Sequence, residues 1–519
     1  MTGSVLRHRA MAAAAGVAAT LLGAGAGELV AAVLAPSSSP FAVVGGALID
    51  AAPAWAKNTA IALFGTSDKA ALLTGIAIVL LALAAALGLS ERRWRRSGAI
   101  GLVLVGVVVS LIAPTRADAA TLSWLPALLS GVISGTALHR LVRMLRSADR
   151  TALASAGTQD PSGPTRRRFL AWAAASAGAG IVAALIASAG RAGTAVSTTV
   201  RTALRLPKPA TPAPAIPAGA ALNVPGLSPL ITPNADFYRI DTALIVPQLD
   251  PAQWKLRIHG LVAHEVTLTW NELVALPLVE SAATLSCVSN EVGGDLIGNA
   301  VWLGYPIREL LAQAQPSADA DMVLSTSVDG FTAGTPLEAL TDDRNALLAI
   351  GMNGEPLPLE HGFPVRMVVP GLYGYVSATK WVIDLEVTRF DRARAYWTDR
   401  GWSERGPIKL ESRIDVPRAN AAVSAGDTVI AGVAWQPHAG VSAVEVQVDG
   451  GPWQRAELAP AISTDTWVQW RLPWHAAAGQ RTLRCRAIGS DGTVQTSEIA
   501  PPAPDGASGW HTIGVTVNA

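Results

Sequence analysis

Apolar runs of membrane-spanning length fill the first third of this 519-residue chain. A spanning helix needs about 20 predominantly apolar residues. Five runs have that length, at about 10–34, 70–89, 97–114, 120–140 and 169–190. A sixth run, 41–65, contains Asp50, Pro53 and Lys57. Because a charge near the bilayer centre costs about 2.5–3.5 kcal/mol, we predict that this run is interfacial or re-entrant.

Four basic clusters predict the orientation of these runs. The clusters are RHR (7–9), ERRWRR (91–96), HRLVRMLR (139–146) and RRR (166–168). Five spans place all four clusters on one side of the membrane, which the positive-inside rule assigns to the cytoplasm, whereas six spans would divide them. The sequence therefore predicts a multi-pass cell-membrane protein with a cytoplasmic N-terminus. Everything after about residue 190 is then extracytoplasmic.

Composition and turn signals divide the chain further. Residues 1–150 hold four spans and the interfacial segment, and 151–190 hold a cytoplasmic loop and the last span. Residues 191–222 are rich in Pro and Ala, and such segments extend by about 3.1 Å per residue. We therefore expect a tether that holds the following domains away from the membrane.

The region 223–412 mixes helical and strand patterns without regular alternation, which predicts an α+β domain. WKLRIHG (254–260) alternates as a half-buried strand, YPIRELLAQA (305–314) reads as a helix with Pro306 in its first turn, and Asn353-Gly354 predicts a turn. The region 413–519 consists of short strands separated by turn signals, as in an Ig-like β-sandwich.

Charge and cysteine content exclude several kinds of protein. The net charge is +1 and no basic stripe is interleaved with aromatics, so we expect no nucleic-acid partner. Two cysteines cannot build a disulfide scaffold, a four-thiolate zinc site or an iron–sulfur cluster. The histidines before residue 190, His8 and His139, both flank the apolar runs. A haem held between the spans is therefore disfavoured.

The two cysteines differ in their surroundings. Cys485 alternates in phase with Leu483 and Ala487, which favours a buried structural thiol. Cys287 follows a β-prone run and precedes a glycine-containing loop, where functional residues are often presented. Taken alone, Cys287 is open to three interpretations: a small buried hydrophobe, a disulfide with Cys485, or a functional thiol.

Five motifs in fixed order narrow these interpretations. They are ITPNADFYRID (231–241), WKLRIHG (254–260), LSCVSNE (285–291), MNGEPLPLEHGFPVRMVVPGLYGYVSATKW (352–381) and AVEVQVDGGPWQRAEL (443–458). Together they resemble the sulfite oxidase family of molybdopterin oxidoreductases over about 230–500. The last motif resembles the family's Ig-like dimerisation domain, which implies a homodimer formed through that domain. The family's haem domain has no counterpart in the sequence.

The resemblance implies a Mo-molybdopterin cofactor and a set of site residues. Cys287 matches the thiolate ligand of the molybdenum, in keeping with the preference of such a metal for soft ligands. Arg366 and Lys380 match anion-binding positions for the pterin phosphate. The further cofactor-binding positions are Asn234, Tyr238, Arg239, Thr326, His361 and Ser377. Arg239 is also a catalytic candidate beside Cys287, because its charge could address an anionic or S-oxide group.

Two departures from the family pattern concern the substrate. Glu291 and Val292 follow Asn290 where sulfite oxidases carry arginines, and Ile350 occupies the position of the family's active-site tyrosine. A carboxylate beside an anion site repels an anion, so both departures count against sulfite. The expected substrate is a small sulfur oxyanion or an S-oxide.

The leading hypothesis is thus a membrane-anchored, extracytoplasmic molybdenum oxidoreductase that transfers an oxygen atom. The alternatives are a sulfoxide reductase on the same fold and a cofactor-free, membrane-anchored Ig-like binding protein. A transporter with a sensor domain is disfavoured, because charged residues are scarce in the spans. No second redox centre is evident in the sequence, so the electron partner is expected to be another protein or a quinone.

The last apolar run is preceded by TRRRFL (165–170), which resembles the twin-arginine export signature. Basic residues at the cytoplasmic end of a span would explain the arginines equally well. A molybdopterin cofactor, however, is inserted in the cytoplasm, so its domain must cross the membrane folded. We therefore predict that the twin-arginine export machinery handles this last span.

Overall fold

The computed structural model describes residues 2–34, 38–51, 68–116, 119–154, 164–193 and 196–519. The chain forms two compact units. The first comprises Met1–Thr198 with Ala243–Pro247, and the second comprises Thr199–Thr242 with Gln248–Ala519.

The first unit is helical. Its helices are α1 (Thr2–Leu34), α2 (Pro40–Ala51), α3 (Asp68–Arg93), α4 (Ser97–Ile112), α5 (Leu125–Ala154) and α6 (Pro164–Gly193), and α7 (Val196–Ala203) leads into the second unit. Within the described residues, five helical segments are long and apolar enough to cross a membrane, and they coincide with the five predicted runs. The run 41–65 begins in the short apolar helix α2, and its remainder, 52–65, lies outside the described residues.

Glycines allow the long helices to approach closely. A Cβ atom added to Gly25 on α1 would lie 2.1 Å from the carbonyl oxygen of Gly180 on α6. Gly106 on α4 and Gly131 on α5 face each other in the same way, with a Cβ on Gly106 lying 2.7 Å from the partner Cα. Small residues at helix contacts are typical of helices that associate in a membrane, where backbone packing replaces the hydrophobic effect.

The second unit begins with two sheets and short helices. The strands are β1 (Lys255–Gly260), β2 (Val266–Thr269), β3 (Val279–Ser286), β4 (Ile297–Pro306), β5 (Met322–Ser327), β6 (Thr332–Pro336), β7 (Leu347–Met352), β8 (Glu355–Pro356), β9 (Arg366–Val368) and β10 (Val382–Thr388). The helices are α8 (Trp270–Ala275), α9 (Ile307–Ala314), α10 (Glu338–Thr341) and α11 (Gly374–Ser377). One sheet has the order β2-β1-β10-β5-β6, and the other has the order β3-β4-β7-β8 with β9 paired to β7.

The local predictions for this region are largely confirmed. Leu256 and Ile258 are fully buried on β1, as the alternation predicts. Asn353 and Gly354 both have positive φ, 52° and 80°, in the turn between β7 and β8. The helix α9 begins at Ile307, two residues later than expected, because Pro306 has extended backbone angles at its N-cap and still belongs to β4 together with Tyr305.

Part of the predicted tether is not a free spacer. The Ala210 N–H donates to the Leu278 carbonyl oxygen at 2.8 Å, and the Glu280 N–H donates to the Thr211 carbonyl oxygen at 2.9 Å. Ala220 is fully buried, and the Leu222 N–H donates to Gln469 Oε1 at 2.6 Å. The extended backbone of this segment leaves N–H and carbonyl groups available, and here the edge of β3 and the C-terminal region pair with some of them. The segment from Ala210 to Leu222 therefore belongs to the second unit.

The C-terminal region is β-rich, as predicted. Its strands are β11 (Glu411–Val416), β12 (Ala422–Ser424), β13 (Gly426–Trp435), β14 (Val441–Val448), β15 (Gln454–Arg455), β16 (Glu457–Leu458), β17 (Val468–Ala476), β18 (Gly479–Gly489) and β19 (His511–Asn518). They form the sheets β11-β13-β17-β16 and β12-β19-β18-β14-β15. Ile430 and Trp470 of the first sheet share a core with Val444 and Cys485 of the second. Cys485 is fully buried, which confirms the structural thiol.

Candidate active site

An open cavity of about 900 Å³ lies in the second unit beside the end of strand β3. Its lining includes Phe237, Tyr238, Ile240, Asp241, Thr242, Cys287, Val288, Ser289, Ser327, Asp329, Phe331, His361, Arg366, Gly374, Tyr375, Ala378, Lys380, Trp381, Trp397 and Trp402.

Cys287 is presented by the rigid end of β3. The last six residues of this strand are buried, and the chain then turns into a loop, 287–296, called here the Cys287 loop. The thiol is 8% exposed, and the Ser289 N–H donates to its Sγ at 3.4 Å. Burial raises the pKa of the thiol, while the Ser289 N–H and the charge of Lys380 act in the opposite direction. Cys287 and Cys485 are both free, so the disulfide interpretation is not supported.

Arg366 places a positive charge in the buried part of the cavity. The residue is 5% exposed, and its guanidinium donates to the carbonyl oxygens of His361 and Met367 at 3.1 and 3.2 Å. It lies over the ring of Trp302, at 5.1 Å from the centroid. Burial lowers its pKa to about 10. No carboxylate of the described residues pairs with it, so its charge is balanced only by dipoles and a ring face.

Lys380 provides the second cation of the cavity. Its Nζ donates to Asp241 Oδ2 at 2.8 Å and to the Glu360 carbonyl oxygen at 2.9 Å. Burial lowers its pKa to about 8, although Asp241 opposes this shift. Burial, together with the charges of Arg366 and Lys380, lowers the pKa of His361 to about 3. His361 is therefore neutral at physiological pH and can donate or accept a hydrogen bond.

Two buried polar atoms in or near the cavity lack partners. Ser327 lines the cavity and Asn290 lies on the Cys287 loop outside the lining, and Ser327 Oγ and Asn290 Nδ2 make no hydrogen bond to any residue that the structure describes. Buried polar groups are rarely left unpaired unless a ligand or water completes them. A soft thiol, two buried cations and an unpaired hydroxyl on one cavity fit an anionic cofactor that carries a thiophilic metal. Arg366 and Lys380 would hold its phosphate, and Cys287 would hold its metal.

The structure brings together five of the residues that the sequence singles out. Tyr238, Cys287, His361, Arg366 and Lys380 all line the cavity. They come from a loop before β1, the end of β3 and the segment 361–380, which lie far apart in the sequence. Their convergence is the main structural support for the predicted site.

Four other predicted site residues do not line the cavity. Asn234 holds the β7–β8 turn instead, because its Nδ2 donates to the Met352 carbonyl oxygen and its Oδ1 accepts from Asn353 Nδ2. Ser377 is fully buried, and its Oγ donates to the Tyr373 carbonyl oxygen at 2.9 Å. Both residues shape the walls of the site from outside it.

Arg239 and Thr326 also lie outside the lining. The Arg239 side chain is partly exposed and pairs with Asp241 Oδ2 at 3.0 Å. Its charge still acts on the site, because, in addition to burial, it helps to lower the pKa of His361 and of Lys380. Thr326 follows the alternation of β5, which places the side chains of neighbouring residues on opposite faces. Ser327 therefore faces the cavity in place of Thr326.

Glu291 and Ile350, the two departures from the family pattern, both lie outside the cavity lining. Glu291 is exposed and does not line the cavity. The carboxylates that do line it are Asp241 and Asp329, so the expectation that Glu291 repels an anion there is wrong. Ile350 is fully buried in the core of the second unit. An apolar core residue therefore stands where a tyrosine was expected to meet the substrate.

Sequence reasoning missed an aromatic wall. Phe331, Tyr375, Trp397 and Trp402 line one part of the cavity. The ring of Trp402 lies 6.0 Å from those of both Tyr375 and Trp397, which is typical of interacting aromatic rings. AYWTDRGW (395–402) carried a signal for this wall, because it concentrates three large aromatics in eight residues.

Comparison with known proteins assigns the fold around this cavity. The family described as oxidoreductase molybdopterin binding domain matches residues 243–397. The mitochondrial sulfite oxidase of Mus musculus is 31% identical over 338 residues, which are 56% of this chain and 60% of that protein. The match thus spans less than two thirds of the mouse protein.

Two further relatives are matched over more of their own length. Sulfite oxidase of Arabidopsis thaliana is 30% identical over 348 residues, covering 56% of this chain and 86% of that protein. The oxidoreductase YuiH of Bacillus subtilis (strain 168) is 34% identical over 157 residues, covering 30% of this chain and 76% of that protein.

Among solved structures, the sulfane dehydrogenase SoxCD from Paracoccus pantotrophus matches with a TM-score of 0.49 and 24% identity. It covers 55% of this chain and 81% of that chain. The sequence matches to relatives that are covered over most of their own length, and the match to the molybdopterin-binding domain, agree with the thiol and cations of the cavity. The chain therefore belongs to the sulfite oxidase family of molybdopterin oxidoreductases, as an enzyme whose cofactor is molybdopterin.

Proposed function

We propose that this enzyme transfers an oxygen atom to or from a small substrate at a molybdenum held by Cys287. One observation carries the proposal: the buried Cys287 thiol faces the same cavity as two buried cations, Arg366 and Lys380. A thiolate suits the metal, and the cations suit the phosphate of the pterin. When bound, the cofactor supplies two-electron redox chemistry at the metal.

The residues of the chain then have distinct tasks. The Ser289 N–H and the charge of Lys380 favour the thiolate form of Cys287. Burial raises the pKa of Tyr238, so its phenol keeps its proton and can donate a hydrogen bond. Neutral His361 offers a second donor or acceptor without adding charge. The fixed thiol and the fixed cations hold the cofactor in a single orientation relative to the aromatic wall.

Of the two oxygen-transfer reactions considered, the lining favours sulfoxide reduction over sulfite oxidation. The cavity cations, Arg366 and Lys380, are those assigned to the phosphate, and Asp329 faces the same cavity as the aromatic wall. A sulfite anion would approach a carboxylate without a spare cation, which costs free energy. An uncharged S-oxide with an apolar substituent instead meets the rings of Trp397 and Trp402. These surroundings support an uncharged S-oxide over an oxyanion.

Turnover of the purified full chain tests this proposal. Sulfite oxidation and reduction of methyl phenyl sulfoxide are each measured with artificial electron carriers. We expect a higher kcat/KM for the sulfoxide. Turnover of neither compound by protein that contains molybdenum would overturn the proposed reaction, and a higher kcat/KM for sulfite would overturn the preference for the S-oxide.

A variant of Asp329 sharpens the test. Asp329→Asn should raise kcat/KM for sulfite several-fold and leave that for methyl phenyl sulfoxide nearly unchanged, with the sulfite effect shrinking at high salt. The matched control is Asp343→Asn, because the Asp343 side chain is 97% exposed and does not line the cavity. An equal change for both substrates would contradict a charge effect.

We infer in addition that the enzyme is anchored in the cell membrane and works on its extracytoplasmic side. Five apolar helices of spanning length and the four basic clusters support this topology. The sequence pattern of the C-terminal strands supports an Ig-like sandwich, with dimerisation as its role. Electrons are expected to pass to or from another protein or a quinone, and TRRRFL (165–170) supports export by the twin-arginine machinery.

A further inference from the structure

The Cys287 loop is held from two directions. Within the loop, the Cys287 N–H donates to the Leu296 carbonyl oxygen at 2.9 Å, and the Leu296 N–H donates to Asn290 Oδ1 at 2.8 Å. These bonds close the base of the loop. Its outer part, Glu291–Asp295, is connected to the fold by residues of the C-terminal sheets.

Arg413 on β11 makes the principal contact to this outer part. Its Nη1 donates to the Gly294 carbonyl oxygen at 2.6 Å, and its Nη2 donates to Ser228 Oγ at 2.8 Å. Its Nε donates to Asp415 Oδ1 at 2.6 Å, and Asp415 Oδ2 in turn accepts from the Ser228 N–H at 3.1 Å. Arg413 and Asp415 are both about nine-tenths buried. A buried guanidinium that donates at once to a carboxylate, a hydroxyl and a backbone carbonyl oxygen is held in one orientation and is a rigid support.

His511 on β19 supports the same part of the loop by packing. Gly293 has a φ of 81°, and a Cβ atom added there would lie 2.2 Å from His511 Cδ2. The ring itself is fixed, because His511 Nδ1 accepts from the Ile414 N–H at 2.9 Å. The imidazole and the guanidinium therefore support adjacent residues of the loop, Gly293 and Gly294.

We infer that Arg413 is a positioning residue, through which the C-terminal sheets set the position of Cys287. The guanidinium fixes the Gly294 carbonyl, and the hydrogen bonds at the base of the loop relay that position to Cys287. The C-terminal region thus has a task in each subunit by itself, independent of dimerisation. The effect on catalysis rests on the proposed function, whereas the effect on the loop does not.

Hydrogen exchange of the purified full chain tests this inference. Arg413→Met removes the charged hydrogen bond to the Gly294 carbonyl oxygen. We expect backbone amides in peptides covering 287–296 to exchange at least about tenfold faster, since hydrogen bonds from charged groups contribute about 1.5–3 kcal/mol. Peptides covering Gly479–Gly489, on β18, should be unchanged. The matched control is Arg471→Met, because Arg471 lies in the same sheet but pairs with the exposed Glu457 at 2.9 Å.

Turnover provides the second readout. In Arg413→Met the kcat should fall about tenfold or more while KM changes little, because the aromatic wall is untouched, and Arg413→Lys should recover part of kcat by restoring the cation. Unchanged exchange of 287–296 would overturn the inference. An equal rise in exchange of 287–296 and Gly479–Gly489 would also overturn it, because Arg413 would then act only on the stability of the domain.

The two cysteines give an internal reference should Arg413→Met fail to load cofactor. In full chain produced without cofactor, thiol labelling of Cys287 should accelerate in the variant while that of Cys485, buried in the C-terminal core, stays slow. Simultaneous labelling of both thiols indicates unfolding and would overturn a local role. If the wild-type protein has no enzyme activity, the proposed function is contradicted. Hydrogen exchange and thiol labelling would still test the role of Arg413 in positioning the loop.

Discussion

Lys380 Nζ lies 2.8 Å from Asp241 Oδ2, and the two side chains are only 10% and 5% exposed. The carboxylate keeps a buried ammonium charged at the place where the cofactor phosphate is expected. Without such a partner, burial alone would drive a lysine towards its neutral form. The pair therefore couples cofactor retention to pH.

We predict that Asp241→Asn shifts the pH dependence of cofactor retention. The pKa of Lys380 is lowered to about 8 with Asp241 present, and it should fall further without the carboxylate. The cation is then lost at lower pH, so the midpoint at which the enzyme releases molybdopterin on raising the pH should move downwards. Released pterin is measured by its fluorescence between about pH 6 and 10.

The control for this change is Asp505→Asn, which removes the carboxylate of the more exposed pair between Lys409 Nζ and Asp505 Oδ1 at 3.0 Å. That variant should release cofactor as the wild type does. An unchanged midpoint in Asp241→Asn would show that Lys380 keeps its charge by other means.

Replacing Glu411 by Gln should stabilise the protein in a pH-dependent way. It is 4% exposed, its Oε1 has no hydrogen-bond partner among the described residues, and burial raises its pKa to about 8. The folded protein keeps the proton up to about pH 8, whereas the unfolded chain releases it near pH 4.5, so this group makes folding less favourable as the pH rises between these values. Glu411→Gln should therefore raise the free energy of unfolding by on the order of 2–4 kcal/mol at pH 8.5.

Thermal unfolding of the full chain at about pH 5 and pH 8.5 checks this expectation. The gain should be small at the lower pH, because Glu411 is then largely protonated in the folded state and the unfolded carboxylate is only partly ionised. Glu457→Gln is the control: Glu457 is exposed, and its hydrogen bond with Arg471 lowers its pKa. The same gain in the free energy of unfolding at both pH values would mean that Glu411→Gln stabilises the protein by some route other than removing an ionisable group.

Sequence patterns predicted the backbone features that depend on local spacing. The five long apolar helices follow from the length of the apolar runs. The buried face of β1 at Leu256 and Ile258, the Asn353-Gly354 turn and the burial of Cys485 follow from periodicity or turn chemistry. The family motifs also located Cys287, Arg366 and Lys380, because these residues belong to contiguous segments whose order and spacing are specific.

The features that sequence reasoning missed depend on tertiary contacts. Asp329 and Trp402 meet in one cavity although more than 70 residues separate them in the chain. Ser327 lines the cavity instead of Thr326, because the alternation of side chains along the strand, rather than position in the motif, decides which one faces inwards. The support of the Cys287 loop by Arg413 joins two regions that the sequence divides into separate domains. No local pattern contains that contact.

The export hypothesis predicts a specific failure of transport. In the double variant Arg166→Lys, Arg167→Lys the net charge of the cluster is kept, so the positive-inside signal remains while the twin-arginine motif is lost. The second unit should then stay in the cytoplasm, which protease protection in spheroplasts measures. The double variant Arg95→Lys, Arg96→Lys changes another basic cluster in the same way and should be exported normally. Normal export of the first variant would contradict the hypothesis.

The proposed ligation of molybdenum by Cys287 is tested by X-ray absorption at the molybdenum edge. Purified full chain is compared as wild type, Cys287→Ser and Cys485→Ser, with turnover measured on the same samples. We predict molybdenum in the wild type, one fewer sulfur ligand with loss of turnover in Cys287→Ser, and wild-type ligation in Cys485→Ser. Wild-type protein without molybdenum, or a Cys287→Ser variant with unchanged sulfur ligation and full turnover, would contradict the account.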